Sequence, residues 1–324
     1  MNRLSTRVTK RLKMMTKSFQ SDCRFSIYFA LLRICDEIGG CIKFNKISRW
    51  AHQKKDQWIL NYLHKKLSST IDNLQSEDHM GEFTDGAPIW ICWWTGIETA
   101  PPLVKQCICS IKNNAGDHPV CFIDKDTYHQ YIDIPEYMLK KVQAGHMGLA
   151  HLADYIRVAL LEKYGGVWLD ATIYCTQPID EEIFKHPFFT CKSEPCECGY
   201  LSRMRWVTFV LGGWKNNIIY KYLREAFEAY WQSNEYAIDY LFFDHLIELG
   251  CQTIPAIKAQ LDQVPCNNLH RDDLQAAMNA AMPAEAFSTV IHEDTSLYKL
   301  SWRETYSETT AMGEPSIYQY FLNM

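Results

Sequence analysis

The stretch HMGLAHLADYIRVALLEKYGGVWLDATIY, residues 146–174, decides how the chain is read. Leu149, Leu152, Ile156 and Leu160 recur at the three-and-four spacing of an amphipathic helix, which should face a core. His151, Asp154 and Arg157 fall on another face, and three-residue spacing makes Asp154 and Arg157 neighbours able to act on one ligand. Gly165-Gly166 predicts the helix stop, because glycine takes the left-handed cap conformation without steric cost. VWLDATIY is rich in β-branched and aromatic residues, and glycine and Pro178 bound it, so it predicts one strand. Alternation then puts Trp168, Asp170, Thr172 and Tyr174 on one side, which presents an acid and a hydroxyl together.

Upstream, PIWICWWTG (88–96) predicts a first buried strand and APPLVKQCICSIKNN a helix with prolines in its first turn. HPVCFIDKDTYHQYI predicts a strand and then a helix, with Asp124 at the strand end as a ligand contact or a helix cap. Downstream, Asp180-Glu181-Glu182 starts a helix, and RMRWVTFVLGGWKNNIIYKYLREAFEAYW gives a strand, a loop and a long helix. Asn234 to Tyr240 opens a further helix reaching Leu249-Gly250, in which Tyr240 and Asp244 are neighbours on a face otherwise expected to be exposed. This alternating order is that of a layered α/β domain. FSIYFALLRICDEIGG, closed by Gly39-Gly40, and DQWILNYLHKKLSSTIDNL are helical in pattern. The expected division is a helical extension over 1–84, basic at its start, and a catalytic domain over 85–324.

The central residues resemble the DxD-containing, sugar-binding glycosyltransferases of family 32, most closely their capsular-polysaccharide-synthesis branch. The matching pattern is Ala150-His151-x-x-Asp154-x-x-Arg157, followed by Leu160-Leu161-x-x-Tyr164-Gly165-Gly166-Val167-Trp168-Leu169-Asp170-Ala171-Thr172. The resemblance implies a GT-A-like fold and a nucleotide-sugar donor, UDP- or GDP-linked. It implies that Asp154 and Arg157 hold the donor sugar and phosphate, that Asp170 lies near ribose and metal, and that His151 and Tyr164 fall among the donor-binding residues. It further implies a glycan or lipid-linked glycan acceptor and transfer with retention of anomeric configuration. In that family an aromatic of the first strand stacks on the base, for which Trp90, Trp93 and Trp94 are the candidates. The order His292, Lys299, Ser301, Trp302 is similar to a C-terminal segment that closes over the diphosphate, with Lys299 meeting phosphate, Trp302 beside the donor and His292 completing a metal shell. The family's second DxD acid is Thr172 here, so the expected Mn²⁺ or Mg²⁺ held by Asp170, Thr172 and His292 should bind more weakly than in a full DxD site. The missing acid also keeps a second class open, a non-catalytic glycan- or nucleotide-sugar-binding scaffold. Asp170→Ala is expected to abolish transfer and leave the fold intact, since an acid at a strand end contributes little to core packing.

With 324 residues, 47% of them hydrophobic, and no Gly/Ser-rich spacer, the chain can bury a large core. Its net charge of -5 creates no field that gathers nucleic acid, which is not an expected partner. Basic residues concentrate at one end. Arg3, Arg7, Lys10, Arg11, Lys13, Lys17 and Arg24 stand against Asp22 alone, with Leu4, Val8, Leu12, Met15 and Phe19 at near-helical spacing. That segment predicts peripheral contact with an anionic membrane or a solvated helix. Thirteen scattered cysteines fit a reducing cytoplasm, on the inner face of a membrane if the basic segment docks there. No signal peptide and no apolar run of roughly 18 residues is expected. Cys191, Cys196 and Cys198 with His186 nearby are loosely spaced for zinc, and no phosphate-loop, dinucleotide, zinc-protease or serine-hydrolase motif is present.

Overall fold

A computed structural model describes residues 19–41, 45–196, 200–282 and 289–323. The first part is helical: α1 Ile27–Cys41, α2 Asn45–Lys66 and α3 Ser68–Leu74. Strands and helices then alternate: β1 Ile89–Cys92, α4 Pro102–Asn113, β2 Val120–Ile123, α5 Glu136–Gln143, α6 Leu149–Tyr164, β3 Gly166–Leu169 and β4 Ile173–Cys175. The remainder comprises α7 Glu182–Lys185, β5 Phe188–Thr190, β6 Val210–Gly213, α8 Ile218–Ser233, α9 Phe242–Thr253, α10 Pro255–Gln263, α11 Asp273–Ala277, β7 Leu297–Lys299 and α12 Ile317–Leu322.

The main sheet has the order β2-β1-β3-β6-β5. β1 pairs parallel with β2 and β3, while β6 runs antiparallel to both β3 and β5, so four strands share a direction and β6 opposes them. Its two faces carry separate cores, as alternation along a strand requires. Trp90 and Trp168 point into a core with α6, α8 and α9, whereas Ile89, Ile91, Val167 and Leu169 point into one with α4, β4, β7 and α12. This mostly parallel, helix-covered sheet is the expected α/β, GT-A-like architecture. The first core also takes in Phe29, Ile59, Leu63, Leu67 and Ile71, so α1–α3 share it with the sheet's helices.

Several boundaries differ from the expectation. α1 runs through Gly39-Gly40, because packing along α2 offsets the roughly 1 kcal/mol each helical glycine costs. The strand expected over 167–174 is two strands: β3 ends at Leu169, and β4 belongs to a separate two-stranded sheet with β7. Only a short 3-10 turn, Tyr128–Gln130, follows β2 before α5. α9 begins at Phe242 instead of near Asn234, because the Asp239 side chain accepts the Leu241 N–H at 2.8 Å and Arg33 at 2.8 Å, which competes with helical hydrogen bonding. Leu149, expected in a core, is exposed, and the rest of α6 is buried around most of its circumference, Arg157 included. The basic segment up to Lys17 and Cys198 lie outside the described residues.

Candidate active site

Where β1 and β3 reach their carboxyl ends the chain leaves the sheet, and a cavity of about 610 Å³ opens there, a volume typical of small-molecule sites. Trp93, Trp94 and Thr95 line it from the end of β1, and Asp170, Ala171 and Thr172 from the end of β3. α6 adds Asp154 and Arg157, α9 adds Phe243 and Asp244, and β7 with the following residues adds Lys299, Ser301, Trp302 and Arg303. Local folding aims these groups. The Gly165 N–H bonds back to the Leu161 carbonyl with φ at +67°, which ends α6 and turns the chain into β3. Gly166, at φ +91°, lets β3 pass so close to β1 that a Cβ would stand 2.0 Å from the Pro88 carbonyl oxygen.

A charged network runs across the cavity floor. Arg157 Nη1 donates to Asp154 Oδ1 at 3.1 Å and Nη2 to Asp170 Oδ1 at 3.0 Å. The guanidinium lies 4.9 Å from the Trp168 ring and 5.4 Å from the Phe243 ring, cation–π contacts that fix its plane. Trp168 Nε1 also donates to Asp170 Oδ1, at 2.9 Å. Lys299 Nζ donates to Asp170 Oδ2 at 2.7 Å and to Thr172 Oγ1 at 2.7 Å, delivered by the pairing of Lys299 with Ile173 across β4 and β7.

These contacts set the charges. Burial disfavours a charged Asp170, but Lys299 and Arg157 more than offset it, so its pKa lies below the usual carboxylate value. Asp154 goes the other way: burial, against the opposing pull of Arg157, raises its pKa to about 7, with the Asp170 and Asp244 charges adding to the rise. Burial also raises the pKa of Asp244, whose Oδ1 accepts Trp206 Nε1 at 2.9 Å. Arg157, Lys299 and Arg303 line the cavity with Asp170, the carboxylate whose ionised form Lys299 and Arg157 favour, and the cavity suits an anionic ligand despite the chain's net charge of -5.

The donor set does not suit a divalent cation. Such an ion wants about six oxygens, several of them charged. Here Asp170 is the single carboxylate beside Thr172, one of its oxygens already accepts two N–H donors, and an ammonium bridges the other oxygen and the hydroxyl. A dication about 4 Å from that ammonium would be repelled by about 8 kcal/mol at an effective dielectric of 20. His292 is not beside Asp170 and Thr172. It lies with His270 and Asp273, where Asp273 Oδ2 contacts His270 Nδ1 at 2.9 Å and His292 Nε2 at 3.1 Å. The two imidazoles stack at 3.7 Å and 13°, and the ligand atoms of this trio lie within 4.8 Å of one another, outside the cavity lining.

Other expected contacts also separate. Trp90 is 1% exposed, gives its Nε1–H to the Gly165 carbonyl at 2.9 Å and packs on Tyr131 and Tyr164, so it is core. Tyr164 donates to the Tyr131 carbonyl at 2.9 Å, away from the cavity lining. Asp124 caps its own turn, Oδ1 accepting from Asp126 N, Thr127 N and Thr127 Oγ1. His151 is buried among Trp231, Tyr240 and Phe242, and burial lowers its pKa. Trp93 and Trp302 meet edge to face at 5.7 Å in the cavity wall, and Trp94 tilts against Tyr128. Asp244, expected on an exposed face, is half-buried in the wall. Sequence reasoning missed Thr208, Phe243 and Arg303, and only the position of Arg303 directly after Trp302 carried a signal.

The family model described as capsular polysaccharide synthesis protein matches residues 41–321. The chain belongs to that family. The match begins inside the helical part and runs through α12, so it takes in every residue of the charged network. A curated protein of Fusarium pseudograminearum (strain CS3096), named probable glycosyltransferase FCK3, is 32% identical over 107 residues, 28% of this chain and 26% of its own length. The similarity thus spans about a quarter of that relative.

Proposed function

We propose that this member of the capsular polysaccharide synthesis family is a glycosyltransferase that moves a sugar from a UDP- or GDP-linked donor to a glycan or lipid-linked glycan acceptor with retention of configuration. The observation that carries the reading is the convergence of Asp154, Arg157, Asp170 and Lys299 on one cavity at the carboxyl end of the sheet. In such a transfer the bond between the anomeric carbon and the diphosphate breaks, with its electron pair leaving on phosphate oxygen. The acceptor oxygen bonds to the anomeric carbon on the same face, and its proton passes to the departing phosphate. Arg157 and Lys299 stabilise the charge that develops on the diphosphate. Asp154, protonated for part of the time near neutral pH, can donate to or accept from a donor-sugar hydroxyl. The rings of Trp93, Trp94 and Trp302 give flat surfaces for the base, and Tyr240, 70% exposed, stands where an acceptor sugar would enter.

The family match and the relative's name support the transferase class. The deciding experiment is release of UDP or GDP from a panel of nucleotide sugars with a glycan acceptor and Mn²⁺ present. Donor-specific turnover that Arg157→Met abolishes is expected. Binding without turnover across the panel would leave a nucleotide-sugar-binding module instead.

We further place the protein on the cytoplasmic face of an anionic membrane. Among the described residues no helix is long and apolar enough to cross one. α1, however, exposes Ile27, Tyr28, Leu31, Cys35 and Ile38 along one stripe, directly after the segment that carries seven cations and one acid. An apolar face beside a basic segment fits an interfacial helix. Sedimentation with anionic but not neutral vesicles, lost on Leu31→Glu with Ile27→Glu, checks this.

A further inference from the structure

Whatever donor it takes, the site must balance a diphosphate's charge, and its own donor set is wrong for a divalent ion. We infer that Lys299 is a built-in replacement for the metal: its ammonium occupies the position between Asp170 and Thr172 and binds the donor diphosphate directly, so the protein holds its donor without a divalent cation. This deepens the transferase reading above and rests on it.

Lys299 Nζ stands 2.7 Å from both Asp170 Oδ2 and Thr172 Oγ1, the two oxygens that an ion at this strand end would need. Thr172 contributes a neutral hydroxyl beside the Asp170 carboxylate, so the two oxygens around Nζ bring a single negative charge, which suits an ammonium better than a dication. The ammonium is also held in place, over the Phe209 ring at 4.9 Å and on a strand whose next residue bonds to the Thr172 carbonyl at 3.0 Å. It is 24% exposed, so with three donors and two protein acceptors it can still turn one N–H to a phosphate in the cavity. Arg157 compensates from the other side of Asp170 and Arg303 lies in the same wall, so the site presents three cations to an anionic ligand.

The test uses the full chain and three measurements. Mn²⁺ alone is titrated and followed by its free-ion electron paramagnetic resonance signal. Binding of UDP, GDP and their glucose and galactose conjugates is measured by calorimetry in excess EDTA and again in excess Mn²⁺. Both are repeated on Lys299→Met, with circular dichroism as the folding control. Wild type is expected to leave Mn²⁺ free and to bind one of the nucleotides equally, within about twofold, in EDTA and in Mn²⁺. Lys299→Met is expected to lose at least about tenfold in EDTA and to regain much of it with Mn²⁺, because the vacated oxygens of Asp170 and Thr172 become available. Wild-type nucleotide binding that needs Mn²⁺, or stoichiometric Mn²⁺ uptake by wild type that Asp170→Asn abolishes, overturns the lysine assignment and leaves the transferase reading standing. If no nucleotide or conjugate binds wild type in either condition, the transferase reading falls and takes this inference with it. The wild-type arms decide the matter even if Lys299→Met does not fold.

Discussion

Asp170→Ala should lower stability measurably, contrary to what an acid at a strand end suggests from sequence alone. Asp170 takes an ion-paired hydrogen bond from Arg157, whose side chain is 5% exposed, and one from the uncharged indole of Trp168, which is 1% exposed. Losing the first costs about 1.5–3 kcal/mol and leaving the indole N–H unpaired costs about 1–3 kcal/mol. Lys299, at 24% exposure, can turn to water, so its share is about 0–1 kcal/mol. Part of the loss returns, because Asp154 ionises more readily once the neighbouring charge is gone and becomes the sole partner of Arg157. The net loss is about 3 kcal/mol, in line with breaking a buried pair by removing one member. For a chain of 324 residues the unfolding entropy is about 0.7 kcal/mol/K, so Tm should fall by about 4 °C. Asp170→Asn keeps an acceptor for Trp168 and should lose about half as much. Differential scanning calorimetry at pH 8 reads both. A Tm for Asp170→Ala within about 1 °C of wild type would show that the carboxylate is hydrated and that Arg157 does not depend on it.

Asp154 makes stability depend on pH: its pKa is raised, so the folded chain keeps a proton that the unfolded chain releases, and the advantage present at low pH is lost as pH rises through about 7. Between pH 5 and pH 8 this amounts to about 3 kcal/mol, and denaturant titrations should show stability falling by about that much more in wild type than in Asp154→Asn over this range. Gly166→Ala should cost roughly 3 kcal/mol or more or yield insoluble protein, because the positive φ and the 2.0 Å approach to Pro88 leave no room for a methyl; soluble yield and Tm check it. Trp90→Ala should cost about 3–5 kcal/mol in Tm-derived stability. Trp302→Ala, at a residue 44% exposed, should leave Tm unchanged but weaken nucleotide binding about tenfold by calorimetry if the ring meets the base.

What was legible in the sequence was local. The α6 periodicity, the double glycine and the sixteen positions from Asp154 to Asp170 suffice to bring Asp154, Arg157 and Asp170 into one network, since helix pitch and a tight turn fix their relative places. Apolar composition could not show that the strand breaks at Asp170, because both segments are buried and each reads as strand whichever sheet it joins. Nor could it choose among the tryptophans. Trp90 and Trp93 lie near one another in an aromatic run, and only the point where β1 leaves the sheet makes one core and the other cavity wall. Lys299 could be placed near phosphate by resemblance, yet its bridge from Asp170 to Thr172 spans 129 and 127 positions and depends on the β4–β7 pairing. Asp244 was obscured for the same reason, since its burial is created by Trp206 and the cavity wall, not by its own helix.

That narrow β4–β7 ribbon has an evolutionary consequence. The acid and the group that neutralises it are encoded at distant places in the gene and meet through strands of three residues each, outside the five-stranded sheet. Exchange at position 299 alone, or recombination of the C-terminal segment between homologues, can thus change what counter-ion the centre recruits while the scaffold that orients Asp154 and Arg157 is inherited intact.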